Sequence, residues 1–245
     1  MNFNKYSEYY DLFYKNKKYS KEVKNIKKLV KFNKQEKVLE IGCGTGNHSF
    51  ELSKHCGQVL ALDKSLEMIK IAKKKYSKKN ITFKQLEILD ISKNNKYDKI
   101  ILLFHVFSYF TNKTYIHKIV NKLKLITKPG GYIIFDFWNS EYTKKNELNN
   151  NIREIKYKNT KIVRESIIKK KKKNVFNVKY NFFISKKKQK KYLFFEEHIM
   201  KSFNKSDIKK YFKKNFTLMK LTNLMNFKDI TDKDFSALAI FKKNG

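Results

Sequence analysis

The sequence is poor in the residues that stabilise secreted or metal-binding chains. Its 245 residues include two cysteines, one proline and seven glycines. Cys43 and Cys56 give neither a disulfide framework nor the spacing of a metal site, so we expect no metal and a reducing, cytoplasmic location. No apolar run is long enough to cross a bilayer, and residues 1–10 lack a basic-then-apolar signal. We therefore expect no membrane insertion.

Arginine is also scarce, although the chain is strongly basic. The formal net charge is +35, yet Arg153 and Arg164 are the only arginines among the 57 basic residues. A joint excess of lysine and asparagine with little proline is what AT-rich coding produces. Arginine is the residue that makes forked contacts to phosphate and guanine, so its scarcity argues against a nucleic-acid partner. The charge suits a phosphorylated or nucleotide-linked small substrate.

The chain does contain enough apolar material for a large core. Hydrophobic residues make up 41% of the sequence and aromatic residues 15%. A chain of this length and composition predicts one large domain, or one domain with an elaboration.

The stretch VLEIGCGTG, residues 38–46, is the most informative part of the sequence. A short apolar run leads into Gly42, Gly44 and Gly46, and the following residues are typical of a helix. Strand, glycine turn and helix form the layout of a nucleotide-binding unit, in which the backbone must approach a ligand closely. A second apolar run ends at Asp63, about 20 residues further on, where a carboxylate can accept both hydroxyls of a ribose.

The glycine spacing then separates two classes of cofactor. A dinucleotide site is typified by G-x-G-x-x-G, whereas this chain has E-x-G-x-G-x-G beginning at Glu40. This pattern resembles motif I of the class I S-adenosylmethionine-dependent methyltransferases. The resemblance covers residues 34–139 through VLEIGCGTG, ALDKS, QLEILDI, KYDKIILLF and LKLITKPGGYIIFDFWN. It implies an α/β fold with a Rossmann-like seven-stranded sheet, and S-adenosyl-L-methionine as cofactor.

Residues near the ends of the second and third predicted strands suit the adenine of that cofactor. Met68 lies one turn into the helix that Ser65 is expected to cap, and can be core or lie on an adenine face. Strand 3, predicted over residues 81–88, ends in Glu87 and Ile88. Glu87 can accept from the exocyclic amine while the Ile88 amide donates to the ring. Asp90 remains a rival to Glu87.

The ends of strands 4 and 5 predict the reaction chamber. Strand 4 is expected over residues 99–104, and from Ile100 to Phe104 it is continuously apolar, as parallel strands covered on both faces are. Ligands of open α/β sheets bind at the carboxyl ends of the strands, so the residues after it should face the substrate. The predicted substrate-binding residues are Phe107, Tyr109 and Trp138.

Residues 150–203 differ in sequence pattern from the rest of the chain. Short alternating runs separated by lysine clusters predict antiparallel hairpins, with KKKKKN and KKKQKK as exposed turns. We expect a four-stranded antiparallel β insertion after strand 5. The methyltransferase domain would then comprise residues 1–149 and 204–245, with two final strands closing its sheet.

Within the superfamily, the chain most resembles the nucleotide-sugar N,N-dimethyltransferases. The aromatic start YDLFYKNKKY, the GTG-x-H pattern at His48 and the insertion ending in EEHIMKSF carry this resemblance. It implies that the insertion covers the sugar and helps to form a homodimer, and that Tyr14 and Tyr19 close the N-terminal side of the site. The predicted cofactor-binding residues are Tyr14, Tyr19, Gly42, Gly44, Asp63, Met68, Glu87, Ile88 and Phe104.

The predicted catalytic residues are His105, His198 and Tyr14. An amine acceptor needs only to be deprotonated, whereas a hydroxyl needs a base within hydrogen-bond reach. His105 follows strand 4 directly and is expected to line the site. His198 lies on an inward face of the insertion, where a base and a hydrogen-bonded core histidine are equally good interpretations.

We therefore expect a methyltransferase that acts on a small molecule, such as a nucleotide-linked sugar or a surface-polysaccharide precursor, at nitrogen or oxygen. The first alternative is an RNA methyltransferase that uses the lysine-rich surface. The missing N-P-P-[YF] signature after strand 4 argues against it. The second alternative is a non-catalytic protein that retains the cofactor fold, and the intact Gly42, Gly44 and Asp63 argue against that.

Overall fold

A mixed sheet runs through the protein, which a computed structural model describes for residues 5–157, 159–186 and 189–245. The helices are α1 (Ser7–Phe13), α2 (Tyr19–Leu29), α3 (Asn47–Ser53), α4 (Leu66–Lys75), α5 (Lys113–Ile126), α6 (Ser140–Lys145) and α7 (Lys205–Phe212). The strands are β1 (Lys37–Ile41), β2 (Gln58–Asp63), β3 (Ile81–Gln85), β4 (Tyr97–Leu102), β5 (Thr127–Asn139), β6 (Asn151–Tyr157), β7 (Thr160–Lys172), β8 (Val175–Lys186), β9 (Gln189–Phe203), β10 (Phe216–Thr222) and β11 (Ser236–Lys243).

Seven of these strands form the central sheet in the order β3-β2-β1-β4-β5-β11-β10. The first five are parallel, and β11 runs antiparallel to both β5 and β10. This is the seven-stranded sheet predicted from the sequence, so its functional groups gather at the carboxyl ends of the parallel strands.

Most residues of the central strands β1 and β4 are apolar because both faces of these strands are buried. Leu39 and Ile100 pack into the layer that contains α5 and α7, whereas Val38 and Ile101 pack into the layer that contains α2 and α4. All four side chains are at most 1% exposed. Such burial explains the missing alternation in these strands.

The antiparallel insertion predicted after strand 5 is confirmed as part of the fold. Strands β6, β7, β8 and β9 pair in sequence, and β9 returns alongside the end of β5 through Trp138 and Asn139. One predicted lysine turn lies at Lys173, which is exposed. The other includes Lys187 and Lys188, which lie outside the described residues.

Several predicted boundaries are corrected. Strand β3 ends at Gln85 rather than at residue 88, and β4 ends at Leu102 rather than at Phe104. Strand β5, predicted to end at Phe135, continues to Asn139, because β11 pairs with it as far as Trp138. No helix among the described residues is long and apolar enough to cross a membrane.

Candidate active site

A cavity of about 250 Å³ lies where the carboxyl ends of the parallel strands meet the insertion. Its lining has contributions from α1, from the ends of β1, β2, β4 and β5, and from the inner faces of β8 and β9. One half therefore lies over the glycine turn and the other lies under the insertion. The cavity therefore has two adjoining regions with different linings.

The glycine turn forms the floor of the first half. Gly42 and Gly44 have positive φ angles of 71° and 54°, which L side chains rarely adopt. A Cβ on Gly42 would lie 2.5 Å from a methyl carbon of Val106, whereas a Cβ on Gly44 would meet no protein atom within 4 Å. Because Gly44 also lines the cavity, that open space is room for a ligand against the backbone.

Asp63 connects the glycine turn to the start of α4. The Gly44 N–H donates to Asp63 Oδ2 at 2.8 Å, and the Ser65 N–H donates to Oδ1 at 2.9 Å. Ser65 caps α4 as predicted, with its hydroxyl oxygen accepting from the Met68 N–H. Burial raises the pKa of Asp63, and the two backbone donors act in the opposite direction. The carboxylate is therefore held in one orientation at the cavity wall.

The residues predicted for adenine come together at one end of the cavity. Met68 and Ile88 are at most 3% exposed and line it. Glu87 also lines it, and its carboxylate forms an ion pair with Lys64 at 2.9 Å. The rival candidate, Asp90, is exposed and is not part of the lining.

The N-terminal wall contains one of the two predicted tyrosines. Tyr14 lines the cavity and packs edge-on against Phe104, with 4.9 Å between ring centroids. Tyr19 is not in the lining, because its ring packs edge-on against His48 at 4.8 Å, behind the glycine turn. The structure does not bring Tyr19 into the cavity wall, and its contact with the cofactor stays a prediction.

His105 occupies the turn predicted for it at the end of β4. Its φ of 65° is left-handed, and its N–H donates to Asp136 Oδ1 at 2.7 Å. The imidazole lines the cavity, with Nε2 lying 3.1 Å from the Ser236 hydroxyl. Burial lowers the pKa of His105 and Asp136 partly opposes this, so the ring is neutral near pH 7. Trp138 also lines the cavity and lies edge-on to His105.

Tyr109 and His198 meet at the top of the second half. The Tyr109 hydroxyl lies 3.3 Å from His198 Nδ1, and both residues line the cavity. Burial lowers the pKa of His198 to about 4. Burial also raises the pKa of neighbouring Glu196, whose Oε2 lies 3.8 Å from His198 Nε2, to about 7. His198 is therefore a buried, neutral group that faces the cavity.

Phe107 is placed differently from its prediction. Its side chain is fully buried and stacks on Phe135 with 4.3 Å between ring centroids. It also contacts Phe203 and Phe212 in the main core, and it does not line the cavity. The short 3₁₀ turn after His105 directs Phe107 inward, so its role is packing rather than substrate binding.

Sequence reasoning missed Arg164 and two tyrosines around it. Arg164 lies on β7, is 4% exposed and donates to the hydroxyls of Tyr6 and Tyr14. Tyr6 and Tyr180 line the cavity. The only signal in the sequence was the rarity of arginine, and it did not reveal that this guanidinium is buried.

A second polar network holds the N-terminal segment against the glycine turn. Asp11 accepts hydrogen bonds from Thr45 and Asn47, at 2.7 Å and 2.9 Å. Glu22 lies 2.6 Å from Nε2 of the buried His48. These contacts give α1 and α2 a fixed position beside the turn.

The first half of the cavity fits S-adenosyl-L-methionine. The space over Gly44 suits the amino-acid part, Asp63 can accept from a ribose, and Met68, Glu87 and Ile88 surround a place for the adenine. The turn contains no lysine or arginine between Gly42 and Gly46, so it does not provide the cationic side chain of a Walker-type phosphate site.

Comparison with known proteins supports this interpretation. Residues 38–131 match a family described as a methyltransferase domain. A curated relative is the dTDP-3-amino-3,4,6-trideoxy-alpha-D-glucopyranose N,N-dimethyltransferase of Streptomyces venezuelae, 26% identical over 137 residues, or 54% of this chain and 57% of the relative. Another is the malonyl-[acyl-carrier protein] O-methyltransferase of Priestia megaterium, 33% identical over 42% of this chain and 37% of the relative. The chain thus spans little more than half the length of the first of these relatives and less of the second.

Solved structures match almost the whole chain. An S-adenosylmethionine-dependent methyltransferase from Clostridium acetobutylicum has a TM-score of 0.79 at 23% identity, over 99% of each chain. DesVI from Streptomyces venezuelae has a TM-score of 0.78 at 19% identity, over 98% of each. The sugar N-methyltransferase KedS8 from Streptoalloteichus has a TM-score of 0.79 at 16% identity, over 96% of this chain and 93% of that one. These matches confirm the predicted fold, including the insertion.

Proposed function

We propose that the protein is an S-adenosylmethionine-dependent methyltransferase that methylates the amino group of a nucleotide-linked sugar. Two of the similar proteins are an N,N-dimethyltransferase for a dTDP-linked amino sugar and a sugar N-methyltransferase. The sequence prediction of a phosphorylated or nucleotide-linked substrate belongs to this proposal. So do the predictions of a surface-polysaccharide precursor, a cytoplasmic location and a homodimer.

The observation that carries the proposal is the construction of the cavity's second half. The insertion covers it, and His105, Tyr109 and His198 direct polar groups into an enclosure of mainly aromatic and aliphatic side chains. Tyr180 and Trp138 add large ring faces to its walls. Aromatic faces combined with a few hydrogen-bonding groups suit a sugar and its amine.

The protein contributes chiefly orientation and the exclusion of water. When bound, S-adenosyl-L-methionine supplies a methyl group on a sulfonium that is already an activated leaving group. Gly42, Gly44 and Asp63 would hold that cofactor over the turn. Transfer of that methyl group to the acceptor nitrogen would release S-adenosylhomocysteine as the other product. The amine must be uncharged when it attacks, because only its lone pair can form the new bond.

We assign to His105 the role of accepting the proton of the amine. Burial lowers the pKa of its imidazole, so the ring is uncharged at neutral pH and can accept a proton from the amine. The hydrogen bond from the backbone N–H of His105 to the Asp136 carboxylate fixes the backbone of this turn. His105 therefore combines a fixed position with the protonation state that the reaction needs.

A mass-spectrometric screen tests the proposal. The purified protein and the cofactor are incubated with nucleotide-linked sugars, half of them with an amino group and half with a hydroxyl at the same carbon. We expect the amino sugars to gain one or two CH₂ units and the hydroxyl sugars none. If only the hydroxyl sugars gained mass, the acceptor would be an alcohol rather than an amine. If no sugar gains mass while another acceptor is methylated, the substrate class is wrong.

A further inference from the structure

The unusual feature outside the described reaction is the environment of Arg164. One guanidinium nitrogen, Nη1, donates to the Tyr6 hydroxyl and, at 3.1 Å, to the Tyr14 hydroxyl. The guanidinium carbon also lies 4.9 Å from the ring centroid of Phe13 and 4.8 Å from that of Tyr180. The cation is thus enclosed by aromatic rings and phenol oxygens.

This buried charge has no carboxylate partner among the residues that the structure describes. Its Nε is buried without a hydrogen-bond partner in the same set. Burying an ion without a counter-ion costs free energy, which π faces and hydroxyl oxygens offset only in part. A purely structural role would be served better by an apolar side chain, so the arrangement indicates a function.

A lysine could not make the same contacts. The guanidinium is planar and can reach two hydroxyls while it stacks on rings, whereas an ammonium is a compact point charge. Arg153, the other arginine, lies directly opposite Arg164 on β6. Like charges directly opposite each other destabilise a sheet, so the pairing is a further cost of placing a cation here.

The cluster joins the two segments that enclose the cavity. Tyr6 and Tyr14 come from the N-terminal segment, Arg164 and Tyr180 come from the insertion, and the three tyrosines line the cavity. Tyr14 also packs edge-on against Phe104, the residue before His105. Arg164 therefore connects the N-terminal wall of the cavity to the insertion that covers the cavity.

We propose that Arg164 is a positioning residue, which fixes the Tyr14 hydroxyl at the boundary between the cofactor and acceptor halves and projects its positive charge toward the acceptor half. The inference rests on the proposed function only for the identity of the acceptor. Its geometry concerns residues of this chain alone.

The charge has a consequence for the groups around it. Burial is the main cause of the low pKa of His198, and Arg164 acts in the same direction. The same field disfavours the protonated form of an amine bound nearby, which keeps the nucleophile uncharged. The titratable and charged groups that face this region are Tyr6, Tyr10, Tyr14, Lys17, Asp63, His105, Tyr109, Asp136, Arg153, Tyr180, Glu196 and His198.

A double-mutant cycle tests the positioning of Tyr14. S-adenosylhomocysteine affinity is measured by calorimetry in Arg164→Lys, Tyr14→Phe and the double variant, none of which requires a known acceptor. We expect each single change to weaken binding by about tenfold, the equivalent of one hydrogen bond to a charged group, and the double change to add little. Additive losses, or single variants that bind like the unchanged protein, would overturn the positioning role.

A nuclear magnetic resonance titration of His198 tests the charge. We expect the pKa of His198 to rise in Arg164→Gln and to stay the same in Arg164→Lys, which keeps the charge without the fork. Arg153→Lys is the matched control and should also leave it unchanged. An unaltered pKa in Arg164→Gln would refute the electrostatic part. If that variant does not fold, the Arg164→Lys cycle still decides the positioning part. Failure of the proposed function would show separately, as the absence of a methylated sugar.

Discussion

At the residue scale, Asp63 has two tasks that mutation can separate. It accepts the backbone N–H groups of Gly44 and Ser65, and it presents the same carboxylate to the cavity. The first task stabilises the turn, whereas the second would hold a ribose. Both oxygens have a lone pair left for a ligand after these bonds.

We predict that Asp63→Ala weakens S-adenosylhomocysteine binding by about a hundredfold, because two hydrogen bonds to a charged group are lost. Asp98→Ala is a matched control. Asp98 also accepts a backbone N–H, that of Lys37, but it lies at the amino end of β4, away from the cavity. The control should lose stability yet keep its affinity, as calorimetry and thermal unfolding can show. Unchanged affinity in Asp63→Ala would refute the ribose assignment.

Two glycines of the same turn should respond differently to alanine. A Cβ on Gly44 meets no protein atom within 4 Å, whereas a Cβ on Gly46 would lie 2.8 Å from the ring of Phe83. We predict that Gly44→Ala costs about 1 kcal/mol of stability through its backbone conformation and abolishes most cofactor binding. Gly46→Ala should lower the melting temperature by more. The prediction would be contradicted if Gly44→Ala and Gly46→Ala lost cofactor affinity in the same proportion to the stability that each variant loses.

At the element scale, strand β9 brings two buried titratable groups to the roof of the cavity. The pKa of His198 is lowered to about 4 from its ordinary 6.5. Between these pH values the unfolded chain binds a proton that the folded chain does not, so stability falls as pH falls from 6.5 to 4. The full effect is about 3 kcal/mol.

We therefore predict that His198→Gln flattens the acid side of the stability profile. Urea unfolding of the variant at several pH values between 4 and 7 should show a smaller decrease than the unchanged protein. A profile of the same slope in both proteins would show that His198 is not the group responsible.

Glu196 should produce the opposite slope. Burial raises its pKa to about 7 from 4.5, so the folded chain holds a proton that the unfolded chain releases, and stability falls as pH rises through this window. We predict that Glu196→Gln removes that contribution, so the stability of the variant falls more steeply than that of the unchanged protein as pH falls from 7 to 4.5. The same unfolding series measures it. Loss of stability that is equal at every pH would indicate a packing effect instead.

The elements show how far sequence reasoning reaches. Apolar runs predicted β1 and β4, and a capping residue predicted the start of α4, because local patterns determine them. The ends of the strands were less predictable. Strand β5 extends to Asn139 because β11 pairs with it from over 90 residues away. No local pattern contains such a partner.

The site shows the same division. The spacing predicted Gly42, Gly44 and Asp63 as site residues, and the place of His105 after a strand predicted that residue; all four line the cavity. Phe107 was misplaced because its direction depends on the left-handed turn at the preceding residues. Arg164 was missed because its burial depends on contacts with the N-terminal segment, which lies far away in sequence.

At the scale of the whole molecule, the cavity exists only because three separate segments meet. The N-terminal segment, the central sheet and the insertion each supply part of its lining. The contact between Tyr6 and Arg164 spans 158 positions of sequence. Each segment therefore has to be in place before the acceptor half is closed.

The net charge of +35 is also a property of the whole molecule, and its effect on RNA binding separates an RNA acceptor from a sugar acceptor. Nearly all of it is lysine, and one of the two arginines is buried beside tyrosines, away from any forked contact with phosphate. We predict that RNA binds weakly at low salt, through counterion release, and is lost by about 0.2 M salt. Filter binding over a salt series measures this, with a lysine-rich protein of similar charge as control. Retention at that salt, together with methyl incorporation into the RNA, would favour the RNA methyltransferase alternative over a sugar acceptor.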